Sequence, residues 1–383
     1  MIARAEFLRG LGSVGTSLAA IDLPNFAAQV QIAVICPLSG DQRRNGEQLA
    51  NGVRAAIDDA NRQRGSLDRV YTLRTFDDRN GIADALVNAQ FAAADPSIVA
   101  VVGHLGAKST ASAVRTYAEA QLPLVVPAAT ADDITANGYR NVFRLPTRDF
   151  DEGQLLARFV LQQNKPKIAH ALVQDGDYGA GVADGFVQTL NAQKIDAKLS
   201  VFPYANADFG RVAAETLSRK PDVIALTGYA AEMAPVVKEL RDRGFGGVLV
   251  ASQGFFDALV TTKYAKECEG MVISTSMPYL AIAPSAFRIR ADFEARYGAL
   301  TPVSAFGYAA AQVVIGAVRR TGAQQRVQLL RALTLGGSFD TLVGTFTFGP
   351  RGDPIDPEVY FYTVRDGKFA YVRQAHPSSF LPR

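Results

Sequence analysis

The chain has no tryptophan, only 2 cysteines and only 3 histidines in 383 residues. Cys36 and Cys268 are too few for a disulfide framework, and His104, His170 and His376 are too scattered for a zinc site. Any metal chemistry would have to rest on oxygen ligands. Neither sign of charge dominates: 40 Lys and Arg face 37 Asp and Glu, a net charge of +3, which lacks the basic excess of a nucleic-acid-binding surface. No uninterrupted apolar run approaches the roughly 20 residues that a membrane-spanning helix needs.

Enzyme signatures are missing as well. The segment Gly103-His104-Leu105-Gly106-Ala107-Lys108-Ser109-Thr110 sits between a strand and a helix, as a phosphate loop would. A phosphate loop needs glycine immediately before the lysine, and Ala107 stands there. No Gly-x-Ser-x-Gly elbow, His-Glu-x-x-His pair or dinucleotide fingerprint occurs. Asp77-Asp78 and Asp132-Asp133 read as carboxylates on solvated turns, with no spacing that marks an acid and base pair. His170 interrupts an apolar strand and reads as a buried, hydrogen-bonded histidine, and both cysteines read as unpaired thiols.

What is present is a globular composition, 48% apolar and 20% charged, in a chain long enough for two or three domains at roughly 100 to 200 residues each. Residues 1–28 run from Arg4 and Arg9 through an apolar stretch to Asn25-Phe26-Ala27-Ala28, the order of an export signal. From Val30 onward, short β-branched runs alternate with amphipathic stretches. Val30 to Ile35 reads as a strand, and Gly46 to Arg64 places Leu49, Val53, Ala56, Ile57 and Ala60 on one helical face. The same alternation continues to Val126, then restarts near residue 151 and runs to Ala251. Strands separated by helices of this length make parallel sheets covered on both faces, so the expectation is α/β with two doubly wound lobes. Ligand-accepting loops lie at the carboxyl ends of such strands, which places function in a cleft between the lobes. Exposed amides at the start of the helix near Ser109, with the Ser109 and Thr110 hydroxyls, suit an anionic group; equally, Ser109 could simply cap that helix.

Several segments, taken in order, resemble the leucine/isoleucine/valine-binding class of periplasmic solute-binding proteins. They are Val34 to Gly40, Gly103-His104-Leu105 with Ser109-Thr110, Pro127 to Thr130, Val142-Phe143-Arg144 with Asp149, Asp177-Tyr178-Gly179 with Gly181, and Glu269-Gly270-Met271. The resemblance implies a type I periplasmic binding protein: two lobes joined by three crossing segments, no enzymatic activity and no cofactor. Its partners would be a small-molecule ligand and the membrane permease of an ABC transporter, with neither nucleic acid nor insertion in the membrane. It further implies a periplasmic, exported protein with 29–148 plus 277–348 as the first lobe and 149–276 plus 349–383 as the second.

Carried over by position, the resemblance gives the first lobe Ala107, Lys108 and Ser109 as a carboxylate-holding loop, with Ala128 and Thr130 beside it. It gives the second lobe Asp149, Tyr178, Tyr229 and Gln253. Ala107 stands where the family typically has serine, Asn45 where it has an aromatic residue, and Gln253 where amino-acid binders carry a glutamate for the ammonium. Two ligand classes therefore stay open: an amino acid held on its amino side by Asp149 alone, or a neutral or monoanionic solute such as an amide or aromatic acid. Phe255 and Phe306 fit either an apolar pocket wall or the core. The implied cycle closes the lobes on a hinge near Thr147 and Ser276 and hands the solute to the permease. A cytoplasmic or receptor-linked sensor of small amides on the same scaffold is the alternative.

Overall fold

The computed structural model describes residues 29–65, 69–175, 178–202, 208–278 and 284–375. The export reading of residues 1–28, Asp177 and His376 lie outside the described residues.

The first sheet holds β1 (Gln29–Cys36), β2 (Val70–Asp77), β3 (Ile98–Gly103), β4 (Leu124–Val126) and β5 (Val142–Arg144) in the order β2-β1-β3-β4-β5. All its pairings are parallel. The intervening helices are α1 (Arg43–Arg62), α2 (Ile82–Ala94), α3 (Ala107–Glu119) and α4 (Asp133–Ala136). The stripe expected on α1 is the one that packs: Leu49, Val53, Ala56, Ile57 and Ala60 are all buried. Burying such a side chain contributes about 1.5 to 3 kcal/mol for a valine, leucine or isoleucine, so this face alone fixes α1 on the sheet.

The chain then crosses to a second sheet. Its parallel part consists of β6 (Ile168–Gln174), β7 (Asp196–Phe202), β8 (Val223–Thr227), β9 (Val248–Ala251) and β10 (Val272–Thr275). The helices beside it are α5 (Asp149–Gln163), α6 (Ala180–Ala192), α7 (Phe209–Ser218), α8 (Ala230–Asp242) and α9 (Ala258–Thr261). After β10 the chain returns to the first lobe with α10 (Pro284–Tyr297), α11 (Pro302–Thr321) and α12 (Arg326–Leu335), followed by the hairpin β11 (Phe339–Thr341) and β12 (Gly344–Phe346). Residues of α11 and α12 share one core with α1 and β1. A third crossing brings β13 (Val359–Arg365) and β14 (Lys368–Ala375) onto the second sheet, antiparallel beside β10. The final order is β14-β13-β10-β9-β8-β6-β7.

The chemistry of α11 explains its sharp limits. Thr301 and Ser304 form a reciprocal capping box, Pro302 opens the helix, and Gly322 closes it in the left-handed region at φ 68°. Its apolar length is spent inside the protein, where Phe306, Ala310, Val313, Val314 and Ala317 are buried. Among the described residues, no single helix is long and apolar enough to cross a membrane.

Side chains tie the crossings together. Thr147, on the first crossing, donates from its amide to Ser276 Oγ on the second at 3.1 Å and from its hydroxyl to the Glu358 carbonyl on the third at 3.1 Å. Beside it, the fully buried Arg144 holds Asp353 through Nε at 3.0 Å and Nη2 at 2.7 Å, and its amide donates to the Gly352 carbonyl. A cavity of about 250 Å³ opens at this junction, walled by Leu145, Ser276, Phe306, Val343, Phe346 and Tyr360. Phe306 thus borders a cavity, whereas Phe255 is wholly core.

Candidate ligand-binding site

In the first lobe, β3 ends at Gly103 and α3 starts at Ala107, with Gly106 at its N-cap. Ser109 is therefore inside the first turn, and its hydroxyl donates to the Gly106 carbonyl at 3.0 Å, as does that of Thr110 at 2.6 Å. The capping alternative for Ser109 falls, because a cap would have to precede the helix and accept from it. The amides of Ala107, Lys108 and Ser109 belong to the first turn, where backbone donors lack intrahelical acceptors and the helix dipole favours an anion. Ala107 is half-buried, Lys108 exposed and Ser109 buried.

This loop is braced from behind by groups the sequence did not bring together. His104 Nδ1 meets Asp78 Oδ2 at 2.6 Å and its Nε2 meets the Tyr117 hydroxyl at 2.9 Å, with all three residues fully buried. Asp78 is thus not a solvated turn carboxylate. Its amide donates to the Cys36 carbonyl, which folds the turn under the sheet edge and turns the carboxylate inward. Asp77 faces the other way, accepting from the Leu38 amide and the Ser39 hydroxyl. His170 is only half provided for: Nε2 meets Ser200 Oγ at 2.8 Å, while buried Nδ1 has no partner among the described residues.

After β4, Ala128 is half-buried and Thr130 is buried. The Thr130 carbonyl accepts from the Asp149 amide at 3.0 Å, and its side chain is hydrogen-bonded to the Asp149 carboxyl. Thr130 and Asp149 therefore meet where the first crossing enters the second lobe.

Tyr178, Tyr229 and Gln253 follow β6, β8 and β9, all at the carboxyl edge of the second sheet. Two glycines allow these loops to converge. Gly179 adopts φ 105°, and a Cβ there would stand 2.3 Å from the Thr227 carbonyl oxygen. A Cβ on Gly254 would stand 2.1 Å from the Gly228 carbonyl oxygen. The rings of Tyr178 and Tyr229 consequently pack with centroids 5.0 Å apart. Tyr178 is half-buried and Tyr229 exposed.

Glu152 is the residue that sequence reasoning missed. It lies one turn beyond Asp149 on α5, fully buried, and its Oε1 accepts from the Gln253 amide at 3.0 Å and from Ser274 Oγ at 2.6 Å. The signal was present: Glu152, Leu155, Leu156, Phe159 and Val160 form one helical stripe, so a carboxylate opens the apolar face. The Gln253 side chain reaches the hinge, where Oε1 accepts from the Ser276 amide at 3.4 Å.

Burial raises the Asp149 carboxyl to about 6, against hydrogen bonding from Thr130. Burial likewise raises Glu152 to about 8, with nearby Asp149 adding to the effect. The Tyr178 hydroxyl is driven well above its ordinary value by burial and by the neighbouring Glu152 and Asp149. Among the described residues, Asp149 Oδ1 and Glu152 Oε2 are buried without a hydrogen-bond partner, and the hydroxyls of Tyr178 and Ser252 are buried beside each other. Such a concentration of unmet polar atoms is unusual in a folded interior and marks a place that a donor-bearing guest would complete. The arrangement can hold a small polar molecule.

The pattern of the periplasmic binding protein family matches residues 29–368. The chain is similar to the Leu/Ile/Val-binding protein BraC3 of Rhizobium johnstonii, 28% identical over 349 residues, which are 89% of this chain and 93% of that one. It is also similar to the Leu/Ile/Val-binding protein of Escherichia coli, 25% identical over 334 residues, which are 85% of this chain and 88% of that one. A leucine-binding protein of Thermotoga maritima has the same fold, with a TM-score of 0.80 at 23% identity over 91% of this chain and 99% of that one. So has a solute-binding protein of R. palustris in complex with benzoate, with a TM-score of 0.77 at 20% identity over 91% of this chain and 97% of that one.

Proposed function

The chain belongs to the periplasmic binding protein family, whose members bind solutes rather than transform them, and from that premise we propose that it is the exported substrate-binding component of an ABC-type importer that captures an α-amino acid with an apolar side chain. The observation that carries this reading is the contrast between two sets of residues at the carboxyl edges of the two sheets. The first lobe offers amides at the start of α3, suited to a carboxylate; the second offers the unmet carboxyl oxygen of Asp149 and the buried Tyr178 hydroxyl, suited to an ammonium. The aromatic pair Tyr178 and Tyr229 supplies apolar surface and faces that attract a cation.

In this reading, the solute first meets Ala107 to Ser109, Ala128 and Thr130, and the lobe of Asp149, Tyr178, Tyr229 and Gln253 then closes over it. A ligand touching both lobes favours the closed form by the contacts made only there. The lobes are taken as 29–148 plus 277–348 and 149–276 plus 349–383. The Leu/Ile/Val binders among the relatives support the ligand class.

Thermal-shift measurements with leucine, isoleucine, valine, benzoate and small amides test the ligand. A ligand at a hundredfold excess over its Kd adds about 2.7 kcal/mol to the folded state, a shift of several degrees in Tm. A shift with aliphatic amino acids is expected; a shift with benzoate or an amide and none with any amino acid overturns the proposal. Sequencing the mature N-terminus tests export: an unprocessed chain starting at Met1 favours the sensor.

A further inference from the structure

Resting on that reading, we propose that the amino-group subsite contains two carboxylates, Asp149 as the direct acceptor and Glu152 behind it, and that Glu152 releases its proton to solvent as the ammonium enters. The positively charged solute keeps all its protons; the Glu152 carboxyl loses one and becomes the second anion of the subsite.

The geometry leads here in three steps. First, Gln253 leaves the subsite without the charge expected at that position, and its side-chain oxygen is engaged by the Ser276 amide. Second, Asp149 and Glu152 are three residues apart on the first turn of α5 and therefore share a face. Both are buried, and each retains an oxygen with no partner. Third, two buried hydroxyls adjoin the pair, those of Ser252 and Tyr178, which interact with each other and keep acceptor capacity for a further donor. An ammonium supplies three donors in a compact volume.

The surroundings decide the protonation state. Among the described residues, the titratable groups that act on Glu152 are Asp149 on the same helix and Tyr178 ahead of α6. From β10 and the end of β9 come only the Ser274 hydroxyl and the Gln253 amide. Asp149 also feels the Arg144 cation, which favours its charge, against the carboxylates of Asp132 and Asp133, whereas no cation among the described residues acts on Glu152; burial holds the Glu152 carboxyl at about 8, so the empty site carries one charge on Asp149 and a proton on Glu152 near neutrality. An arriving ammonium reverses the balance, because an opposite charge nearby favours the ionised carboxyl.

The test is calorimetry of leucine binding at about pH 7 in buffers of different ionisation enthalpy, which reads protons released per ligand bound. The wild type should release most of one proton, and its affinity should rise between about pH 6 and about pH 8. Glu152→Gln, which keeps an acceptor for the Gln253 amide and Ser274, should bind leucine more weakly, release almost none and lose the pH dependence. Asp149→Asn should weaken binding while leaving release from Glu152 measurable. Leucine binding to the wild type without proton release overturns the two-carboxylate subsite and leaves the proposed function standing. If no α-amino acid binds at any pH, both fall together.

Discussion

The Thr147 amide donates to Ser276 Oγ at 3.1 Å, so a single hydrogen bond joins the first crossing between the lobes to the second. The same Thr147 reaches the third crossing through its hydroxyl, and Ser276 is reached in turn by the side chain of Gln253. A candidate ligand residue is thus connected by three consecutive hydrogen bonds to every segment on which the lobes would pivot.

Removing the Ser276 hydroxyl should therefore loosen the hinge. Thr147 is 2% exposed, and Ser276→Ala would leave its amide buried without an acceptor, at a cost of about 1 to 3 kcal/mol. Denaturant unfolding should show that loss, and small-angle scattering with saturating leucine should show less compaction than in the wild type. Unchanged stability together with unchanged compaction would remove Ser276 from the hinge.

Asp149 carries the amino side of the proposed ligand. A hydrogen bond to a charged partner is worth about 1.5 to 3 kcal/mol, so Asp149→Ala should weaken leucine binding at least about tenfold. The fold should survive, because burial already disfavours the charge on this residue in the empty protein. Calorimetry reporting the wild-type affinity for the variant would reject the assignment.

The Arg144 and Asp353 pair should behave as a structural clip rather than as part of the site. Arg144 is fully buried and also donates to the Ala131 carbonyl at 2.5 Å and to Thr135 Oγ1 at 2.6 Å. Asp353→Ala would strand its charge, and breaking one side of a buried pair costs about 3 to 5 kcal/mol. Replacing both, as Arg144→Met with Asp353→Leu, should cost markedly less than Asp353→Ala alone. Denaturation midpoints of the two variants compare these directly; equal losses would mean the ion pair is not what matters.

These residues also show what a sequence can and cannot disclose. The stripe on α1 was legible because its periodicity of apolar residues is a local property, and the same holds for the alternation that gives two α/β lobes. β5 and β10, of 3 and 4 residues, lie outside the alternation read from the sequence, beyond Val126 and Ala251. The candidate site was legible only as positions that follow strand ends, as at Ser109, Tyr178 and Gln253. Glu152 escaped although its place on the buried stripe was plain. Asp78, His104 and Tyr117 had no local signal at all: Asp78 and His104 lie 26 positions apart and meet only once β1, β2 and β3 are paired.

Glu152 should leave a trace on the stability of the empty protein as well as on binding. Its folded value of about 8 lies above the ordinary 4.5, so the folded state holds a proton that the unfolded chain gives up between those values. The sign follows from linkage: the associated stability is full below about pH 4.5 and is lost progressively as pH rises to about 8, by about 5 kcal/mol at most. His170 acts in the opposite sense. Burial lowers it to about 4 from 6.5, so its contribution is present above about pH 6.5 and is lost as pH falls through about 4. Glu152→Gln keeps the size of the side chain and removes only the first effect. Its stability advantage over the wild type in urea should therefore be small at about pH 5 and grow steadily to about pH 8.5. A constant difference across that range would mean that Glu152 is already ionised in the empty protein and has no proton to release.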